Sequence, residues 1–151
     1  MSNLRITKTV NAPVEQVFAR FSDFAGAPND VAGIDRVEML TDGPIGKGTR
    51  FKETRAMFGK EATEEMLVAE FEPNRKYTIT AESCGAHYQT IFLFHQQGDK
   101  TEVDMQLSSR PITFMAKILS PIMGLMMGGT MKKMMQGDID QVAAACEKAY
   151  N

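Results

Sequence analysis

Residues 76–109, KYTITAESCGAHYQTIFLFHQQGDKTEVDMQLSS, decide the fold. Apolar and polar residues alternate along Lys76–Ser83, Ala86–Gln96 and Thr101–Ser109, the period of a strand with one face buried. Gly85 marks the first turn, Gln97-Gly98-Asp99 the second, and Arg110-Pro111 the end of the run. Interruptions this short join neighbouring strands as antiparallel hairpins. Two more strands precede them: Thr49–Phe58, ending at Gly59-Lys60, and Glu61–Glu72, ending at Pro73-Asn74. The whole stretch reads as a five-stranded meander.

On the N-terminal side, Leu4, Ile6 and Val10 alternate with polar residues and predict a strand over 4–10. Asn11 is then placed as a helix cap and Pro13 in the first turn. Val14, Val17, Phe18 and Phe21 follow at helical spacing. Phe24–Gly33 reads as a short helix or loop, and Ile34–Thr41 as a strand with Val37 and Met39 on one side. The loop Asp42–Gly48 is glycine-rich, but it lacks a Gly-Lys-Ser/Thr ending and runs into a strand. That context argues against a phosphate loop.

On the C-terminal side, Ile112–Asn151 is helical in composition. One straight helix of that length would run to about 57 Å, against a domain diameter of about 40 Å. A bend or break is therefore expected at Pro121 or Gly128-Gly129. Beyond it, Met131, Met135, Ile139, Val142, Cys146 and Ala149 form an apolar stripe that should lie on the sheet.

The chain has 151 residues, 43% hydrophobic and 24% charged, which fits a single domain over 1–151. Its net charge of -2 comes without a block of like charges, so no nucleic-acid partner is expected. Cys84 and Cys146 lie far apart and outside any C-x-x-C pair, which points to a reducing compartment, the cytoplasm. The N-terminus has no signal-peptide core. The most apolar run, Ile118–Met131, is 14 residues long, too short for a membrane span. Lys117, Lys132 and Lys133 flank it, which leaves transient membrane contact open. Ile91 and Leu93, on the outer sheet face, leave a homodimer open.

The order is thus strand, helix, short helix, six strands, long helix. In this order the chain resembles the START-like superfamily SRPBCC, in its polyketide cyclase/dehydratase-like branch. The residues that carry the resemblance are Val10–Phe18, Phe21–Phe24, Gly43–Phe51 and Val68–Arg75. The resemblance implies an α+β helix-grip fold, with an antiparallel sheet of about six to seven strands curled around the C-terminal helix. It also implies a cavity for a small hydrophobic molecule, with catalysis in a minority of relatives.

Taking Phe51 and Phe71 as inward and applying strict alternation predicts the cavity lining. Glu53, Arg55, Met57, Thr63, Glu65, Leu67 and Ala69 then face inward. So do Tyr77, Ile79, Ala81, Tyr88, Thr90, Phe92, Phe94, Val103, Met105 and Leu107. The candidate ligand-binding residues are Phe51, Glu53, Arg55, Glu65, Tyr77, Tyr88, Thr90, Phe92 and Met105, joined by Met123 and Met127. Among them Glu53, Arg55, Glu65, Tyr77, Tyr88 and Thr90 could orient a ligand in an apolar pocket, and Arg55 should pair with Glu53 or Glu65.

Seven of the twelve methionines fall between Met115 and Met135. Methionine suits an adaptable wall, here Met123, Met126, Met127 and Met131 with Gly128-Gly129 as hinge. His87 and His95 share the outer face about 26 Å apart, so they cannot bind one metal. No metal site, cofactor or catalytic residue is assigned.

The leading reading is a non-enzymatic binder or carrier of a lipid, polyketide or aromatic molecule. One rival is a cyclase/dehydratase-like enzyme with Glu53, Glu65, Tyr77 or Tyr88 as acid/base. The other is a protein-interaction module whose interior is filled by large side chains.

Overall fold

A computed structural model of the chain describes residues 2–57, 59–83, 85–112 and 114–150; the side chains of residues 2, 57, 60, 83, 114–128 and 130 lie outside that description. The chain runs β1 (Ser2–Val10), α1 (Val14–Phe21), α2 (Ala27–Asp30), β2 (Ile34–Met39), β3 (Arg50–Met57), β4 (Lys60–Glu72), β5 (Lys76–Ser83), β6 (Ala86–Gln97), β7 (Lys100–Pro111) and α3 (Phe114–Tyr150). The strands form one seven-stranded sheet in the order β1-β7-β6-β5-β4-β3-β2, with every neighbouring pair antiparallel. The meander was legible because its turns are short. Gly98, at φ +65°, takes the left-handed conformation that the β6–β7 turn requires. At the β4–β5 turn Asn74 does the same, at φ 65°. The pairing of β1 with β7 joins the two ends of the sheet-forming sequence, from Ser2 opposite Ser109 to Val10 opposite Thr101.

Helix α1 starts one residue after Pro13, and Pro13, not Asn11, occupies the cap position without a side-chain hydrogen bond. The orphan donor at Val14 is satisfied from outside the helix: its backbone N–H donates to Gln96 Oε1 at 2.8 Å. Asn11 itself donates its backbone N–H to Glu147 Oε2 of α3.

The core lies between the sheet's concave face and the helices. Phe18 and Phe21 of α1, with Phe24 just beyond it, insert into an aromatic cluster. The Phe18 ring meets those of Phe71, Tyr77 and Phe94 edge-on at 5.3, 6.0 and 5.1 Å between centroids. Phe24 stacks on Phe51 at 4.7 Å.

Helix α3 contributes Ile139, Ala143 and Cys146, all buried, at the i, i+4, i+7 spacing of one face. It packs mainly on β1, with lesser contact to α1, β7 and α2. Of the two expectations, the break is not there: α3 is helical from Phe114 to Tyr150, through Pro121 and Gly128-Gly129. Among the described residues of α3, contact with the core runs from Met131 and Met135 to Ile139, Val142, Ala143 and Cys146.

Candidate ligand-binding site

Strand pairing sorts the side chains into two faces, because residues directly opposite one another point the same way. Three rows cross the concave face. The first is Phe51–Met66–Ala81–Tyr88–Ser109. The second is Val68–Ile79–Thr90–Leu107–Leu4 and the third Phe71–Tyr77–Phe92–Met105–Ile6. The third row lies under the aromatic side chains of α1. There Tyr77 and Met105 are fully buried, and Phe92 stacks on Tyr77 at 4.9 Å. In the first two rows Met66, Tyr88 and Thr90 are only half-buried.

A β-bulge decides what β4 contributes. Val68 stands opposite Ile79, but Glu70 stands opposite Thr78, so one residue is inserted and the alternation changes phase. Phe71 is inward as expected, but before the bulge the inward residues are Val68, Met66, Glu64 and Ala62. This corrects the placement of Thr63, Glu65 and Leu67, which face outward. Glu65 is exposed and pairs with Arg50 at 3.1 Å on the convex face; Arg55 does not reach it.

Arg55 pairs instead with Glu53, as the first of the two expected partners, with Nε and Nη2 each donating to Oε1 at 3.2 Å. Its Nη2 also meets Asp138 Oδ2 of α3 at 2.8 Å. Side-chain exposures of 12%, 16% and 21% for Arg55, Glu53 and Asp138 mark a largely dehydrated cluster. Burial raises the Glu53 carboxyl above its ordinary value, and the Arg55 charge opposes that shift only in part. Burial works against the Arg55 charge, but Asp138 and Glu53 outweigh it and hold the guanidinium above its usual value.

The remaining candidates divide by burial. Phe51 and Met105 are core side chains. Tyr77 donates its hydroxyl to the Phe21 carbonyl at 3.2 Å, and burial pushes its ionisation far above the ordinary range. It is therefore a packing residue unsuited to proton transfer at neutral pH. Tyr88, Thr90 and Phe92 share the concave face of β6, all half-buried. Met123 and Met127 fall outside the residues whose side chains are described. His87 and His95 stand on the convex face of β6, opposite Arg110 and Glu102.

Sequence reading missed Asp138, Glu64 and Met66. Asp138 had a signal: it lies three residues after Met135 and four before Val142, so it sits on the apolar stripe of its helix. A carboxylate there needs a buried partner. Among the described residues no group of His, Cys, Asp and Glu side chains could hold a metal ion, and no helix is long and apolar enough to cross a membrane.

A curved antiparallel sheet gripping a long C-terminal helix, with a mixed apolar and polar concave face, defines a START-like helix-grip protein. More narrowly, the chain belongs to the family described as polyketide cyclase / dehydrase and lipid transport, whose model matches residues 1–148. Solved structures with this fold include the Zhui aromatase/cyclase from a Streptomyces species. It is 14% identical with a TM-score of 0.81, over 99% of this chain and 96% of that one. A START superfamily protein from Mycobacterium smegmatis is 16% identical with a TM-score of 0.70, over 98% and 96%. A conserved protein from Geobacillus kaustophilus is 13% identical with a TM-score of 0.76, over 99% and 98%. At these identities the likeness is one of fold. Comparison with curated proteins finds no match.

Proposed function

We propose that this protein binds a small hydrophobic molecule, of lipid, polyketide or aromatic type, between the concave face of the sheet and α3, and that it acts as a binder or carrier. The observation that carries this reading is the uneven packing of the concave face. Beside the filled aromatic cluster, Met66, Tyr88 and Thr90 remain half-buried, as does Phe92 at the cluster's edge. Apolar surface with a few hydrogen-bonding groups is the usual lining of a small-molecule site. The Glu53–Arg55–Asp138 cluster supplies fixed polar partners on the same face. Residues 1–151 are taken as one domain, and the buried free thiol of Cys146 agrees with action in the reducing cytoplasm.

The enzyme reading draws on one specific observation, the Glu53 carboxyl raised by burial, a shift that favours the protonated form a general acid needs. Under it Glu53→Gln abolishes turnover of an aromatic or polyketide substrate while leaving dye binding intact. The binder reading is tested with an environment-sensitive anilinonaphthalene dye. Binding should be weakened at least about tenfold by Thr90→Phe, which fills the concave face, and unchanged by Glu65→Gln on the convex face. Equal binding by all three proteins contradicts the site.

A further inference from the structure

The arginines of the described residues are almost all neutralised. Arg5 pairs with Asp104, Arg20 with Asp30, Arg36 with Glu61, Arg50 with Glu65 and Arg55 with Glu53 and Asp138, at 2.6 to 3.2 Å. Arg75, next to the β4–β5 turn, and Arg110, near the end of β7, have no such partner among the described residues.

Arg110 stands on the convex face directly opposite His87, and Ser108, two residues back along β7, stands directly opposite Gln89. Residues so paired have Cβ atoms about 5 Å apart, so the four side chains form one compact block. With Ser109 they border a depression of about 90 Å³. Every side chain in the block can offer an N–H or O–H donor, and none is a carboxylate. The acid Glu82 lies across His87 on β5, its Oε1 3.6 Å from His87 Nδ1, on the side away from Arg110. A cation without a counter-ion, set among hydrogen-bond donors, is complementary to a compact oxyanion, and the small recess has no room for an apolar chain.

We infer that Arg110, His87, Gln89 and Ser108 bind a phosphate-class oxyanion, free or as the headgroup of an anionic lipid, on the face opposite the proposed hydrophobic site. The site is independent of that reading and needs no internal cavity.

The test uses the full chain with inorganic phosphate, followed by amide NMR, and with vesicles of phosphatidic acid in phosphatidylcholine, followed by co-sedimentation. The variants are Arg110→Ala and, as a control with the same charge loss, Arg75→Ala. Saturable phosphate shifts centred on residues 87–89 and 108–110 are expected. They should weaken at least about tenfold in Arg110→Ala and persist in Arg75→Ala. If phosphate gives no shifts but vesicles are retained and released by Arg110→Ala alone, the oxyanion is a lipid headgroup. Equal losses in Arg110→Ala and Arg75→Ala, or no binding in either assay, overturn the proposal. Amide shifts that keep the parent's pattern away from residues 87–89 and 108–110 show that Arg110→Ala is folded, so its loss of binding is not misfolding.

Discussion

Arg55 of β3 and Asp138 of α3 meet at 2.8 Å, and this contact ties the C-terminal helix to the far side of the sheet from β1. Glu53 shares the same guanidinium, so one cation serves two carboxylates. Arg55→Ala should therefore destabilise more than Asp138→Ala, because it leaves two buried acids unpaired, whereas Asp138→Ala leaves Arg55 still paired with Glu53. With side chains this close to dry, a loss of about 2–4 kcal/mol for Arg55→Ala is expected, and about half that for Asp138→Ala. Urea unfolding of both variants checks the order.

Two carboxyls should respond to acid in opposite senses. Burial raises Glu53 on folding, so the native state holds that proton more tightly than the unfolded chain. The group's contribution to stability falls as pH rises from the ordinary carboxylate value through the raised one. Glu53→Gln should then equal or exceed the parent in stability at neutral pH, with the advantage shrinking on acidification. Asp104 is lowered, chiefly by its hydrogen bonds from Arg5. Its stabilisation is present above the ordinary carboxylate value and is lost as pH falls through the lowered one. Asp104→Asn should therefore cost stability at neutral pH and close the gap in strong acid. Melting curves across pH separate the two behaviours.

The aromatic cluster should dominate stability. Phe18 touches three other rings and is 4% exposed. Phe18→Ala is expected to cost about 3–5 kcal/mol. Tyr77→Phe removes only the hydroxyl that donates to the Phe21 carbonyl. It should cost about 1 kcal/mol and leave dye binding unchanged. A large loss of binding in Tyr77→Phe would move Tyr77 from the core into the site.

The bulge in β4 makes a further prediction. Glu64 faces inward opposite Glu53, and Glu65 faces outward opposite Lys52. Glu64→Lys should perturb dye binding, since a new charge then lies beside the Glu53–Arg55–Asp138 cluster. Glu65→Lys should not, and its effect on stability should stay within about 0.5 kcal/mol, as for an exposed pair. The reverse result would restore strict alternation along β4.

The meander was legible because alternation and turn residues are local signals, and both the β3 and the β6 sides of the site followed from them. The phase of β4 was not, because a bulge is one inserted residue and Val68-Ala69-Glu70 carries no glycine or proline to mark it. That single residue moved Glu65 out of the site and Glu64 and Met66 into it. Pro121 and Gly128-Gly129 were read as the points where so long a segment bends or breaks, but the helix runs through both, since proline removes one hydrogen bond and need not end a helix. From sequence Arg55 had two possible partners, Glu53 and Glu65, and the structure selects Glu53, its neighbour on one face of β3. Asp138 required a contact across 83 positions of chain, which only the assembled fold provides.

Native mass spectrometry of the protein purified from its own host, with extraction of anything bound, tests the central claim most directly. The account predicts one small apolar molecule per chain, retained in Glu65→Gln and lost in Thr90→Phe. A bare mass, with no uptake from a panel of lipids, polyketides and aromatic compounds, would contradict it.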